Sequence, residues 1–428
     1  MRRAISARPH VREAVETRGR VRRTKEEKKN VIDTQANHER GCWGLDVHRS
    51  TTTVTELGPH GKTMRQWTFP TTRPKLAEFA GKIGTLPVVL EASTAGKAVA
   101  TVLKEAGAEL HMAAPNKVAL IAKTPIKTDA RDSAALAHLY QAGFLPECYI
   151  PPPEIDRLRT LVRARMDLGT KATVIKNQTH ALVTRNLLDS EMEGFSDWFG
   201  VKGIRKLVRL PLSAAERGHL ARHLEELRLL ADHEDRLQAE LAKAATERED
   251  VRLLMTIPGV DYYTAVAIVA EIGDIRRFST KKHLCSHAGV VPRADNSGEK
   301  ASSHRHVKPG DLVLKRFLGI AVQGMLKAKQ ETAIRRFYEK KAKAIGAQKA
   351  QVAAARKLAC AIWWMLSHHE AFQDQDDPLT ERKAKRMQTV SQRPTPEVTV
   401  EDLEKVGRAL EERLPTLSRL TSEVANGG

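Results

Sequence analysis

Pro87 to Ala92, PVVLEA, is a short apolar run that ends on an acid. A run without polar alternation reads as a strand buried on both faces, so the chain around it must build a sheet with covering layers. Glu91 then closes a buried strand, where a carboxylate is costly unless it is paired or bound to metal. A second acid lies in the same situation upstream. CWGLDV reads as a strand, with Asp46 near its end. TTTVTEL follows as a second strand, and TMRQWTF as a third after the turn GPHGK. Residues 74–84 carry Leu76, Phe79, Ala80 and Ile83 on one helical face. Residues 96–106 read as a further helix and ELHMAA as a fifth strand.

Three strands in a meander, then helix, strand, helix, strand, is the order of an RNase H-like (RuvC-like) mixed sheet. In such a sheet the first and fourth strands are neighbours, which brings Asp46 and Glu91 to one edge. Downstream, KTDARDSAALAHL places Asp129 and Asp132 three apart. If Ala130 to Leu139 is helical, both acids share a face while Ala135, Leu136 and Leu139 fill the buried side. An isolated D-x-x-D is more often an N-cap aspartate plus a solvated one. Two strand-end acids upstream change that reading. Four carboxylates repel one another, and a divalent cation relieves the repulsion. An all-oxygen donor set suits Mg²⁺, with Mn²⁺ as the alternative, and four such groups can hold two cations about a scissile phosphate.

The 428 residues carry 71 Lys plus Arg against 52 Asp plus Glu, a formal net charge of +19. That excess points to a polyanionic partner, most simply nucleic acid. Cys42, Cys148, Cys285 and Cys360 are far apart in sequence and form no C-x-x-C, which argues against a zinc ribbon or a disulfide framework and fits a reducing cytosol. The longest apolar run, Ala359 to Leu366, is too short to span a bilayer, so no membrane partner is expected. No phosphate-binding glycine loop occurs, and no ATP is expected.

The organisation reads as five parts: a mobile basic arm over 1–40, a catalytic α/β domain over 41–150, a long-helix region over 151–250, a mainly helical domain over 251–372, and a polar tail over 373–428 with a short helix near 400–412. Residues 153–190 and 214–248 carry leucines at roughly heptad spacing. They read as a coiled-coil insertion used for self-association, or as internal packing helices. Arg157, Arg159, Arg163, Arg165, Lys171 and Lys176 decorate the first. Pro258-Gly259 makes a tight turn before an apolar helix, like a helix-hairpin-helix. Asn296-Ser297-Gly298 is a turn signal among basic residues. From the loop alone Ser297 is a structural turn residue.

Asp46, Glu91, Asp129 and Asp132 resemble the DEDD tetrad of RuvC-like domains. The phrases GLDVHRS, VVLEAS, PNKV, KTDARDSAALA and YIPPPEIDRLRTLVRAR resemble the IS-one-ten family of insertion-sequence transposases, the recombinases guided by a bridge RNA. EIGDIRRFS and AGVVPR extend the likeness, which covers roughly residues 41–372. It implies Mg²⁺-dependent cleavage and rejoining of double-stranded DNA, a structured guide RNA, a homo-oligomer, and a bacterial cytoplasmic, nucleoid-associated setting. It also implies that Ser297, the serine of the matching S-G, is the nucleophile, so that the active site is assembled from two domains. Ser302 and Ser303 compete for that role, but neither precedes a glycine. Two other readings remain: a metal-dependent, Holliday-junction resolvase-like nuclease with water as nucleophile, and a non-catalytic nucleic-acid-binding protein.

Overall fold

Cys42–Val47 forms the first strand, β1, and its alternation assigns the two faces of the sheet. Trp43 and Leu45 point to one face, where Trp43 meets Trp67 and Phe79 edge-on at 5.6 and 5.4 Å. Cys42 joins Leu57, Val89, Leu136 and Ala137 on the other. β1 lies between β2 (Thr51–Leu57), which runs antiparallel to it, and β4 (Val88–Glu91), which runs parallel. β3 (Thr63–Pro70) and β5 (Leu110–Ala113) complete a mixed five-stranded sheet of order β3-β2-β1-β4-β5. Helices α1 (Arg73–Ile83) and α2 (Thr94–Glu105) cover the tryptophan face with Leu76, Phe79, Val99 and Leu103. α3 (Pro115–Ile121) follows β5, and α4 (Asp129–Gln141) lies on the opposite face.

The computed structural model describes residues 39–121, 128–292, 309–328, 330–395 and 398–412. The chain divides into two compact units, Met1–Ile150 and Pro151–Gly428. Residues 1–38 of the basic arm (1–40) and Ser297 lie outside the described residues, as do Ser302 and Ser303.

In the second unit, α5 (Pro153–Arg185) and α7 (Ala214–Thr246) are 33 residues each, roughly 50 Å at the rise of an α-helix, and they pack on one another. Ser213 and Glu216 form a reciprocal capping box that starts α7. At the far end Leu182, Met192, Leu207 and Leu220 form a small core of their own, with α6 (Val201–Leu207) across it. Next to that core, Thr179 and His223 are buried and hydrogen-bonded at 3.0 Å. Much of each leucine stripe is thus spent within the chain.

The region 151–250 is not separate from the helical domain after it. Ile155, Leu158 and Val162 of α5 enter the same core as α8 (Glu249–Met255) and α9 (Tyr262–Ile272). α9 is buried all round, as a helix without a polar face must be. α5, α7, α8 and α11 (Leu312–Lys327) pack on it, and α10 (Lys281–His287), α12 (Ala333–Ile345) and α13 (Ala347–His368) contribute to the same core. The Pro258-Gly259 turn is pressed against α11: a Cβ on Gly259, whose φ is +79°, would collide with the backbone of Gly324.

The reading of 373–428 as a polar tail fails over its first half. Asp377–Ser391 is a helix, α14, that packs on α7 and puts Met387 and Val390 into the core. Lys383 donates to the carbonyls of Met255 and Ile257, the latter at 2.9 Å. Burial pulls its ammonium down to about 8. A final helix, α15, spans Val400–Glu411.

Candidate metal centre

The site is built where β1 stops and α4 starts. Gly44 makes this close approach: a Cβ there would strike the carbonyl of Ser133 and the side chain of Ala137. Ser133 also hydrogen-bonds Thr55 of β2 at 2.7 Å, so α4 is fixed over the sheet by both packing and a buried polar contact. Thr128 caps α4 by accepting the Arg131 N–H, and Asp129 and Asp132 occupy its first turn. Carboxylates there are favoured by the positive end of the helix dipole.

Asp46 is two residues beyond Gly44 and therefore on the same face of the sheet, toward α4. Its carboxyl group is only 17% exposed. Desolvation pushes its pKa up, His48 pulls it down, and the charges of Asp129 and Asp132 push it up again. His48, two residues further on, places Nε2 3.3 Å from Asp46 Oδ2 and 3.5 Å from Asp129 Oδ1. Among the described residues, one donor atom each from Asp46, His48 and Asp129 lies within 4.8 Å of the others, close enough to share one cation. Glu91 is level with Asp46, because Leu45 and Leu90 are register partners in the parallel β1–β4 pair. It shares the α4-facing side with Val89 but is not one of the three clustered donors. Asp132 also stands outside that trio, near enough to act on Asp46 through its charge.

The donor chemistry fits a hard divalent cation. Two carboxylate oxygens with further acids beside them suit Mg²⁺ or Mn²⁺, and one imidazole tilts the set toward Mn²⁺.

Comparison with known proteins addresses the family of the chain. The profile of the transposase IS116/IS110/IS902 family matches residues 251–339, and that of the DEDD transposases of IS110 matches residues 43–186. The chain belongs to this transposase family. The transposase for insertion sequence element IS1111A of Coxiella burnetii is 25% identical over 349 residues, covering 77% of this chain and 90% of its own length. An uncharacterized 43.6 kDa protein of insertion element IS110 from Streptomyces coelicolor is 26% identical, covering 69% of this chain and 86% of its own. The transposase for IS1328 of Yersinia enterocolitica is 24% identical, covering 64% and 80%.

In this transposase three of the six basic residues that decorate α5 are used within the second unit. Arg159 donates to the carbonyls of Ala270 and Glu271, at 2.8 and 3.1 Å. Arg163 reaches the Glu271 carboxylate at 3.0 Å. Arg165 pairs with Glu234 and lies over the Tyr263 ring. These three arginines hold the fold together. His48 is the residue that motif reading missed. It stands near Asp46 in GLDVH but one residue past the end of β1, so strand alternation gives it only a weak signal. No helix among the described residues is long and apolar enough to cross a membrane.

Proposed function

We propose that this insertion-sequence transposase cuts and rejoins DNA at a divalent-metal centre formed by Asp46, Glu91, Asp129 and Asp132, with Ser297 as the nucleophile. One observation carries the metal half: Asp46, at the end of a nearly buried strand, faces Asp129 and Asp132 at the start of α4, and Glu91 is level with it on the next strand. The strand order and directions support an RNase H-like reading of the sheet.

A cation held by these oxygens would polarise a phosphodiester and stabilise the departing oxygen. The chain supplies the rest. Packing of α4 on Gly44 fixes the separation of the two acid-bearing elements. Ser297 Oγ attacks phosphorus, an Oγ–P bond forms as the bridging P–O bond breaks, and a DNA hydroxyl leaves. The phosphoserine keeps an ester bond, so the reverse attack by a DNA hydroxyl reseals the strand without ATP. The role of Ser297 rests on the family's S-G motif, and so does a structured guide RNA, for which the net charge of +19 is a general support. Self-association through the α5–α7 pair is part of the proposal and is supported by Val174 and Leu229, which stay exposed on it.

The test is to trap the covalent intermediate. Full-length protein is incubated with Mg²⁺ and a nicked substrate, denatured, and assayed for DNA that stays with the protein. Ser297→Ala should lose the adduct, while Ser302→Ala and Ser303→Ala keep it. Wild-type cutting by Ser297→Ala would replace this mechanism with water attack at the same metal centre.

A further inference from the structure

Cys285 on α10 and Cys360 on α13 are the one pair of cysteines in contact among the described residues, with sulfurs 3.5 Å apart. Each sits in the body of a helix, and the two helices pack directly on one another. The two thiols differ in access. Cys285 is 1% exposed and its sulfur lies 3.6 Å from the Arg356 carbonyl. Cys360 is half-buried and lines a cavity of about 750 Å³, with Lys357, Trp364, Glu370 and Phe372 around it. A small solute entering that cavity meets Cys360, with Cys285 directly behind it.

The charge environment separates them further. The sulfur–sulfur contact and the nearby cations Lys281, Arg356 and Lys357 act to lower the Cys360 thiol. Cys285 is held up by its contact with the other sulfur and by burial. One thiol is therefore reachable and set among cations that favour its thiolate, and the other is shielded behind it, the arrangement of an attacking and a resolving cysteine.

We propose that Cys285 and Cys360 form a reversible thiol–disulfide site, oxidised by a small hydroperoxide and reopened by a dithiol. The Cys360 thiolate attacks the outer peroxide oxygen. An S–O bond forms, the O–O bond breaks, and the released alkoxide or hydroxide takes up a proton. Cys285 sulfur then attacks the Cys360 sulfenic sulfur. The S–S bond forms, the S–O bond breaks, and the Cys285 proton leaves with that oxygen as water. Two thiols and one hydroperoxide thus give one disulfide, one alcohol or water, and one further water. The bond would tie α10 to α13 and close a loop that contains Ser297 in sequence.

The experiment uses the full chain and hydrogen peroxide. Protein is treated with one equivalent, quenched with an alkylating agent, digested, and read by mass spectrometry. The expected product is a Cys285–Cys360 peptide pair, two hydrogens lighter than the reduced peptides, restored by dithiothreitol. Cys42, whose thiol is buried and pushed up to about 12, should stay unmodified. In Cys360→Ser, oxidation of Cys285 should fall at least about tenfold, because the thiol left behind is protonated and shielded. In Cys285→Ser, Cys360 should stop at sulfenic acid with one equivalent and, on addition of a second, pass on to sulfinic acid that dithiothreitol cannot reverse. Accumulation of sulfinic acid at Cys360 in the wild-type protein, or equal oxidation of all four cysteines, would overturn the proposal. Neither outcome depends on the variants folding or on the DNA chemistry.

Discussion

Asp46 and Glu271 are both carboxylates carried into low-dielectric surroundings, and in both desolvation is the largest force raising the pKa. They differ in what the chain supplies as compensation. Glu271, 1% exposed, also has an acid near it, Asp311, which adds to the upward push, but it receives two guanidinium groups in direct contact, Arg163 at 3.0 Å and Arg159 at 3.5 Å. Its charge is answered from within the fold. Asp46 receives one imidazole at 3.3 Å, and its other charged neighbours, Asp129 and Asp132, are acids that raise its pKa further. The first arrangement is a closed structural ion cluster. The second is an excess of negative charge at the edge of a sheet, which a cation from solution would complete. A buried acid alone therefore says little about function, and the sign of its neighbours decides.

The contrast breaks most sharply at Asp46. Asp46→Asn should lower DNA strand cleavage by about 10³-fold or more, equivalent to roughly 4 kcal/mol of lost transition-state stabilisation. The same substitution should raise metal-free stability by about 1 kcal/mol, because it removes a desolvated charge that its acidic neighbours repel. Cleavage assays and chemical denaturation in chelator measure the two effects. Retained cleavage, or a loss of metal-free stability, would make Asp46 an ordinary structural acid like Glu271.

Glu271→Gln should do the opposite. It leaves the largely buried Arg159 against a neutral partner, while Arg163 is half exposed and keeps its solvation, so the cost should be about 1–3 kcal/mol, below that of a fully buried pair. Denaturation midpoints should fall accordingly, with or without divalent metal. A neutral outcome would mean that the two arginines find other acceptors, the nearest being the carbonyls of Ala270 and Glu271 that Arg159 already uses.

Local periodicity made much of the first unit legible. The buried strand at Glu91, the strand holding Asp46 and the helix starting at Asp129 are each written in a few adjacent residues. What failed was non-local. Arg159 and Arg163 look like a solvated basic face until α9 brings Glu271 to them from more than a hundred residues away. α14 looks like tail because Met387 and Val390 are its only residues in the core, and their partners lie on other helices. His48 escaped for a third reason. It sits just past the strand, where period-2 reasoning is weakest, and one histidine in an exposed turn has no distinguishing composition.

His48 also offers the smallest and finest test. Its Nε2 lies between the two carboxylates, and its side chain is about half exposed, so it can turn without disturbing the fold. Two roles predict different responses to metal. If His48 is only a counter-ion, it competes with the cation, and His48→Ala should tighten binding of Mg²⁺ and Mn²⁺ alike. If it is a ligand, the effect should depend on the metal, because Mn²⁺ accepts imidazole nitrogen while Mg²⁺ keeps to oxygen and water. The clustering of its nitrogen with Asp46 and Asp129 oxygens within one cation's reach favours the second role. Calorimetric titration of wild type and His48→Ala at one pH should therefore show Mn²⁺ affinity reduced about tenfold, the size expected when a group supporting a metal site is lost. Mg²⁺ affinity should change by less than that. Equal tightening of both would return His48 to the role Arg159 and Arg163 play for Glu271, a cation supplied by the chain itself.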